Sequence, residues 1–133
     1  VRISISDVVR PEDVEKILPS PLASLHLYIE PTRRDAVRSE QQLSSYGVAF
    51  RSMLDDIDRL FPRRNRLHLF YAGPVSLAVF FGQLISPTID RSVVVYNHTG
   101  KDCPPYSWGL EITAEADSNG FWVEVPKTNE GVR

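Results

Sequence analysis

The feature that most constrains this chain is the largely apolar stretch of residues 66–85 (RLHLFYAGPVSLAVFFGQLI). Its first part has the composition of a buried strand, and the small residues that follow it predict a tight turn. The remainder predicts a helix with Gly73 as its cap and Pro74 at the first helical position. Because this helix is apolar almost all round, we expect it to be buried on several sides. A strand, turn and helix in this order commonly hold a phosphate or another anion at the start of the helix.

The chain has 133 residues, enough for one domain whose core needs no disulfide. It begins with Val1, so we expect it to be excised from a longer protein or processed. No uninterrupted apolar run approaches the ~20 residues that span a bilayer, and no signal-peptide pattern stands at the start. Cys103 is the only cysteine. A lone cysteine fits a reducing compartment, predicts a cytoplasmic location and disfavours a cysteine-based metal site.

The net charge of −2 hides a cluster of arginines, because eight of the twelve lie between Arg33 and Arg66. The planar guanidinium suits phosphates and carboxylates. For the arginines on a helix, the favoured interpretation is a solvated face with ion pairs such as Asp55–Arg59. The acidic overall balance and the lack of a continuous basic stripe argue against direct binding of duplex DNA.

Hydrophobic periodicity and turn signals divide the chain into strands and helices. Residues 1–6 alternate as a half-exposed strand does, and a long helix is expected from about Asp35, capped by Thr32 or Asp35 and ended by Pro62. The same signals predict a short helix at 11–18, strands at 25–29, 66–71, 92–96, 110–113 and 121–125, a helix from Val75 to about Ile85, and a turn at 117–120.

This order of elements predicts an α/β fold, a Rossmann-like and mainly parallel sheet flanked by helices, with a C-terminal β-hairpin. We expect a single domain over 1–133, with a leading segment at 1–22, a core at 25–113 and a frayed tail at 127–133. Ligands of such sheets bind beyond the carboxyl ends of the strands. Three loops should meet there, at residues 30–34, 72–76 and 97–101.

Each loop has a functional and a structural interpretation, and the residues leave both open. Thr32, Arg33 and Arg34 supply donors for phosphodiester oxygens, or they solvate a loop and cap the next helix. The small residues at 72–76 and the Ser76 hydroxyl admit an anion, or they only let the turn fit under its neighbours. After the third core strand, Tyr96 and Asn97 could contact a base, or pack in the core and form a turn. Trp108 is a further aromatic residue that could stack on a base or close the core.

The sequence contains few residues in arrangements typical of a catalytic site. His26 and His68 occupy matching positions inside two strands and are expected to be core histidines, because no further metal ligand stands at a sensible spacing. The acidic cluster of Asp55, Asp56 and Asp58 is expected to be a solvated helix face. No nucleophile elbow, Walker loop or dinucleotide fingerprint is present in the sequence.

Three stretches carry a resemblance to a known family. Residues 68–82 (HLFYAGPVSLAVFFG) resemble the C-terminal half of SAVED domains, and the likeness continues through 92–97 (SVVVYN) and 108–112 (WGLEI). SAVED domains are similar to two fused CARF-like Rossmann units. The family serves bacterial antiphage defence in CBASS and some type III CRISPR systems. Its members sense cyclic oligonucleotides, and binding drives oligomerisation that activates a fused or associated effector such as a nuclease, a TIR domain or a protease.

The resemblance covers about residues 25–112, so this chain could supply one of the two CARF-like units and part of a shared pocket. Either the other half is missing, or the chain works as one unit that pairs with another. It implies ligand-binding roles for residues after the core strands, with the last two the weaker transfers: Thr32, Arg33, Arg34, Ala72, Gly73, Pro74, Ser76, Tyr96 and Asn97.

The leading hypothesis is a sensor module without chemistry or cofactor of its own. Its partners would be a cyclic di-, tri- or tetranucleotide, an effector domain or protein, and further copies of itself, with no membrane. A second hypothesis is a ring-nuclease-like enzyme that slowly cleaves the cyclic oligonucleotide by positioning and arginine electrostatics, with Thr32, Arg34 and His98 as the residues to watch. A third is a structural oligomerisation module.

Overall fold

The structure is a computed structural model that describes residues 1–86, 88–90, 92–98 and 105–112, together with the backbone of 122–124. The predicted turn at 117–120, the predicted tail at 127–133 and Lys101 lie outside these residues. The described elements, in chain order, are β1 (Arg2–Ser4), α1 (Pro11–Glu15), β2 (His26–Tyr28), α2 (Glu40–Leu60), β3 (Leu67–Ala72), α3 (Val75–Leu84), β4 (Val93–Asn97), β5 (Trp108–Ile112) and β6 (Trp122–Glu124).

The six strands form one sheet in the order β2-β1-β3-β4-β5-β6. The first four are parallel, and β5 and β6 continue the sheet in antiparallel fashion. The predicted α/β class, with a parallel core and a C-terminal hairpin, is therefore confirmed. The first hairpin strand differs slightly from the predicted bounds of 110–113, since β5 begins two residues earlier, at Trp108.

The leading segment holds an inner strand of the sheet. β1 pairs with β2 on one side and with β3 on the other, and Ile3, Ser4 and Ile5 are all buried. The prediction of a half-exposed strand was wrong because β1 is covered on both faces. The serine in this alternating sequence does not face solvent. Ser4 is buried on the face opposite Ile3 and Ile5, where its hydroxyl accepts the Val9 N–H at 2.9 Å.

One face of the sheet packs against α2 and α3 and forms the larger core. Sheet residues such as Ile3, Leu69 and Val93 meet Phe50 of α2 and Phe81 of α3 there. The rings of Phe50 and Phe81 stack with their centroids 4.3 Å apart, so they join the two helices as well as the sheet. This contact between helices is one of the main features that orient α3 beside the carboxyl ends of the strands.

The other face is covered over β3 and β4 by α1 and by residues just before β5. Phe70 and Tyr96 stack with centroids 4.3 Å apart, and Tyr106 packs edge-on against Phe70. Val9 and Val14 complete this smaller, mostly aromatic cluster. A five-residue helix and one loop thus do on this face what two longer helices do on the other.

Helix α2 begins at Glu40 and not near Asp35, because Ser39 is its N-cap. Ser39 has an extended backbone, and its hydroxyl accepts the Gln42 N–H at 3.2 Å. The expected caps, Thr32 and Asp35, are therefore wrong; Asp35 forms an ion pair with Arg38 instead. The helix ends at Leu60, two residues before Pro62, as the proline predicts.

The acidic residues of α2 are paired with arginines. Asp55 pairs with Arg51 and Asp56 with Arg59. The predicted Asp55–Arg59 pair was wrong, since Arg51 lies one turn before Asp55 and already holds its carboxylate. The third acid of the cluster, Asp58, pairs with Arg64 just beyond the helix. These ion pairs support the interpretation of the cluster as a helix surface and not as a site.

Asp90 is a fully buried carboxylate that joins α2 to the end of α3. Arg51 donates two hydrogen bonds to it, at 2.8 and 2.9 Å, and the Ser86 N–H donates a third. Burial by itself would raise the pKa of Asp90, but the Arg51 guanidinium and the Ser86 N–H outweigh it and lower the pKa. Arg51 also donates to the Leu84 carbonyl at 3.0 Å.

The expectation that α3 is buried on several sides was wrong. Its N-cap is Pro74 and its first helical residue is Val75; Leu77 and Phe81 are buried, whereas Val75 is 79% and Val79 58% exposed. The reason lies in the topology. Strands β4, β5 and β6 follow one another in antiparallel fashion, so no crossover helix among the described residues covers the sheet beyond α3.

Candidate functional site

A pocket of about 690 Å³ opens at the carboxyl ends of β1, β3 and β4, where the topology of an α/β sheet places ligands. It has two parts. The mouth is bordered by polar and small residues at the ends of β1, β3 and β4, namely Ser6, Asp7, Gly73, Asn97 and His98, and by Trp108 at the start of β5. An apolar trough continues from the mouth between α3 and the sheet, with Val75, Ala78 and Gly82 on one side and Val95, Leu110 and Ile112 on the other.

The loop after β1 is part of this mouth, and the sequence analysis missed it. The Ile5 and Ser6 N–H groups both donate to the Ala72 carbonyl, at 2.8 and 2.9 Å, which holds the β1 loop against the β3 turn. Asp7 follows at the rim, and its carboxylate accepts the Val8 N–H at 2.7 Å. The signal available in the sequence was a strand directly followed by Ser6 and Asp7, but it pointed to this site only once β1 was known to be an inner strand.

The turn between β3 and α3 is shaped by Tyr71. Its hydroxyl donates to the Pro74 carbonyl at 2.7 Å, and burial raises its pKa, so the group stays a neutral donor. A Cβ at position 73 would lie 2.4 Å from the Tyr71 hydroxyl oxygen. Gly73 is therefore required by packing beneath the turn, which supports the structural interpretation of this small residue. Ala72 and Gly73 line the pocket mouth as well.

The start of α3 supplies free donors beside the mouth. Pro74 offers no side-chain cap, and the Leu77 and Ala78 N–H groups donate to the Pro74 carbonyl. The N–H groups of Val75 and Ser76 have no acceptor within the helix because they belong to its first turn. The partial positive charge of the helix start adds to their preference for an anion. Ser76 is exposed, so its hydroxyl is accessible from solvent.

Thr32, Arg33 and Arg34 do not line the pocket. They follow β2, and β1 separates that strand from β3, so the two loops lie two strand positions, or about 10 Å, apart. The loop at 30–34 was expected to meet the loop at 72–76, but β1 is inserted between their strands. The Arg33 N–H donates to the Ile5 carbonyl at 2.9 Å. Both guanidiniums are exposed, and no carboxylate in the described part of the chain pairs with them.

Of the residues that end β4, Tyr96 is in the core and Asn97 is at the rim. Tyr96 is only 8% exposed; it stacks on Phe70, and its hydroxyl lies 3.0 Å from the His68 Nδ1 atom. One face of its ring is thus occupied by Phe70, although Tyr96 also lines the pocket. Asn97 is exposed and pairs across the ladder with Trp108, whose side chain is also accessible.

The two strand histidines are half-buried and belong to hydrogen-bonded clusters. His26 Nε2 lies 2.8 Å from the Ser4 hydroxyl, and burial together with the nearby Arg2 lowers the pKa of His26. Arg2 of β1 pairs with His26 of β2 on one side and with Phe70 of β3 on the other. His26 is therefore level with Phe70, and His26 and His68 are not at matching positions in the sheet. No group of three or more metal-binding side chains occurs within the described residues.

A comparison with protein families identifies the chain. The family model for SAVED, described as the SMODS-associated and fused to various effectors sensor domain, matches residues 1–112. The match includes β1 and α1 and is therefore longer than the resemblance that the sequence motifs carry. A search of curated protein sequences finds no match. None of the helices described by the structure has the length and apolar character needed to cross a membrane. This chain therefore belongs to the SAVED family of sensor domains, which are SMODS-associated and fused to various effectors.

Proposed function

We propose that this chain is the part of a SAVED sensor that binds a cyclic oligonucleotide second messenger in the bacterial cytoplasm. Binding activates a fused or associated effector in CBASS or type III CRISPR defence against phage. The observation that carries the proposal is the pocket at the carboxyl ends of β1, β3 and β4, which joins the free N–H groups of α3 to an apolar trough.

The two parts of the pocket suit the two chemical parts of a nucleotide. A phosphodiester fits the start of α3, where the Val75 and Ser76 N–H groups and the Ser76 hydroxyl are available. A base is flat and largely apolar on its faces, so it suits the trough. Trp108 offers a stacking surface at the entrance, and Asn97 and Asp7 offer hydrogen-bonding groups to the edges of a base.

The loop that follows β2 provides a second contact for the same ligand. Arg33 and Arg34 are exposed about 10 Å from the start of α3, and neither guanidinium is neutralised by a described carboxylate. A ring of several nucleotides carries phosphates at such separations, whereas a mononucleotide does not. Thr32 adds a hydroxyl beside the two arginines. A cyclic oligonucleotide is therefore a better match to both loops than a single nucleotide.

A thermal-shift panel of cyclic di-, tri- and tetranucleotides tests the proposal, because a ligand that binds only the native state raises the melting temperature. We expect an upshift with one class of ring and none with the linear form or with the mononucleotide. The R33A/R34A double variant should lose most of the shift, whereas R59A, which removes an exposed arginine of α2, should keep it. No shift with any ring, for the chain alone and for the full-length protein, would reject the proposal.

The same incubations separate a sensor from an enzyme. A sensor without chemistry returns the ring intact after long incubation, and chromatography of the nucleotide detects this directly. Linear products that disappear in the His98→Ala variant would instead establish a ring-nuclease activity. Light scattering of the full-length protein with and without the ring measures whether binding drives the assembly that the family resemblance implies.

A further inference from the structure

A second pocket lies at the amino ends of the parallel strands, at the end of the sheet opposite the candidate site. Its volume is about 410 Å³, and its lining includes Arg2 of β1, Leu25 directly before β2 and Arg66 directly before β3. Two segments, residues 21–25 and residues 63–66, contribute much of the lining. We call this the amino-end pocket. It shares no lining residue with the candidate site, so the two can be occupied independently.

The charge of the amino-end pocket is one-sided. Four arginines line it, at positions 2, 63, 64 and 66, and none of the described residues of its lining is an aspartate or a glutamate. The candidate site differs, because Asp7 stands at its mouth and its described lining contains no lysine or arginine. Charges of one sign around a concave, partly apolar surface reinforce one another and attract the opposite sign. The amino-end pocket is therefore suited to an anionic partner.

The three arginines before β3 differ in how they are paired. Arg64 pairs with Asp58, and Arg66 pairs with Glu111 at 3.2 Å, so these two are neutralised within the chain. Arg63 is exposed and has no ion-pair partner in the part of the chain that the structure describes. Its guanidinium is therefore available to a carboxylate from outside.

Arg2 is the second arginine of this pocket whose charge is not balanced. Its Nη1 atom donates to the Val9 carbonyl at 3.3 Å, and its Nε atom is buried without an acceptor among the described residues. No described carboxylate pairs with it. Because a partly buried charge is weakly screened by solvent, Arg2 adds to the attraction that Arg63 exerts on an anion.

Apolar side chains and free main-chain donors lie beside the arginines. Leu22 is 79% exposed, and Leu18 and Phe61 are half-buried in the same lining. Exposed apolar surface next to arginine is typical of protein–protein contacts. The N–H groups of residues 22–24 make no hydrogen bond within the described chain, so they are available to the backbone of an extended segment.

We infer that the amino-end pocket is the docking site for an acidic segment of a partner protein, in which glutamates or aspartates alternate with apolar side chains. Carboxylates of the segment pair with Arg63. Its apolar side chains pack against Leu22 and Phe61, and its carbonyls accept the free N–H groups. An isolated phosphate would use the arginines alone, whereas an acidic segment uses all three features. The inference requires no nucleotide, so it can fail or succeed independently of binding at the candidate site.

A nuclear magnetic resonance titration of the full chain with the blocked synthetic peptide EELEELEE tests the inference. We expect the amide shifts to cluster at residues 21–25 and 61–66. The same peptide with serine in place of each glutamate, or with alanine in place of each leucine, should bind at least tenfold more weakly. Absence of binding, shifts centred on the candidate site, or equal affinity for the three peptides would overturn the inference.

Two matched pairs of variants separate charge from apolar contact. R63E should weaken peptide binding at least tenfold, whereas R38E should not, because Arg38 is an exposed arginine beyond the opposite end of α2, about 30 Å along the helix. L22D should weaken binding as strongly, and V48D, at an exposed valine within α2, should not. All four side chains are exposed, so the variants should fold. Equal effects within either pair would contradict the assignment. AMP or inorganic phosphate that binds at residues 61–66 as tightly as the peptide would overturn it in favour of a phosphate ligand.

Discussion

Helices α2 and α3 lie on the same face of one sheet and share a core, yet their outer surfaces differ. The outer side of α2 carries paired charges, such as Asp56 with Arg59, and faces water. The outer side of α3 carries valines and small residues without any charge. One helix has a surface suited to solvent, and the other has a surface suited to contact.

Their N-termini differ in the same way. Ser39 caps α2 with its own hydroxyl, so part of the donor capacity at that end is satisfied within the chain. α3 starts at Pro74 without a side-chain cap and leaves first-turn N–H groups free. The difference is that α2 is capped by its local sequence, whereas the described chain leaves the start of α3 without a side-chain cap and its outer face exposed.

The largest effect is expected where the two helices meet. Phe81→Ala removes a buried ring that stacks on Phe50 and should cost about 4 kcal/mol of unfolding free energy, measured by urea denaturation. Phe81→Leu keeps most of the volume and should cost clearly less. A loss below about 1 kcal/mol for the alanine variant would show that α3 is not held by this contact.

Asp90→Asn breaks the buried link between α2 and the end of α3 and should cost about 3 kcal/mol near pH 7, because it leaves Arg51 without its main partner. Asp55→Asn, which removes the exposed partner of the same arginine, should cost less than about 1 kcal/mol. Equal losses would contradict the distinction between a buried link and a surface pair.

The Asp90 link also predicts an acid dependence. Because its folded pKa lies below the unfolded value of about 4, its stabilisation is present above that value and is lost as pH falls through the folded pKa. The free energy of unfolding, measured by urea denaturation at several pH values between 7 and 2, should therefore fall less with decreasing pH for Asp90→Asn than for the wild type.

Replacing each of two glycines by alanine should change the free energy of unfolding in opposite directions. Gly47→Ala on α2 places a Cβ 2.4 Å from the Phe80 ring of α3 and should cost about 1–2 kcal/mol. Gly82→Ala on α3 adds a Cβ in open space and should stabilise the single chain by about 0.5–1 kcal/mol through helix propensity. Urea denaturation at low protein concentration measures both.

The smallest effect concerns the cap. Ser39→Ala should cost about 1 kcal/mol, since the Gln42 N–H loses its acceptor. Ser44→Ala, on the exposed surface within α2, should be neutral or slightly stabilising because alanine is the better helix former. Thermal unfolding followed by circular dichroism distinguishes them, and a neutral Ser39→Ala would mean that α2 does not depend on this cap.

The parts of the fold that depend on local pattern could be predicted. The strand, turn and helix around Ala72 to Pro74 follow from apolar runs and from small residues, and their bounds in the structure differ by one or two residues. The start of α2 could not be predicted, because Thr32, Asp35 and Ser39 are all capable caps and the packing of the whole helix selects among them.

The site was only partly predictable for a related reason. Ala72, Gly73 and Asn97 lie at the pocket mouth as the loops after the strands suggested, but Ser6 and Asp7 joined them only through the place of β1 in the sheet. Gly73 looked like a position for close ligand approach, and the structure shows that the Tyr71 hydroxyl already requires it. Arg33 and Arg34 lie one strand further away than expected.

By itself the sequence determined the class of fold, the helices and strands, and the family, because these depend on periodicity and on short motifs along the chain. The order of strands, the cap of α2 and the exposure of one face of α3 were decided only by the tertiary structure. Their physical reason is shared: each depends on which distant surfaces compete for the same hydrogen bonds or the same apolar contact. Local pattern shows that α3 is apolar almost all round, but only the fold shows which side the described residues leave exposed.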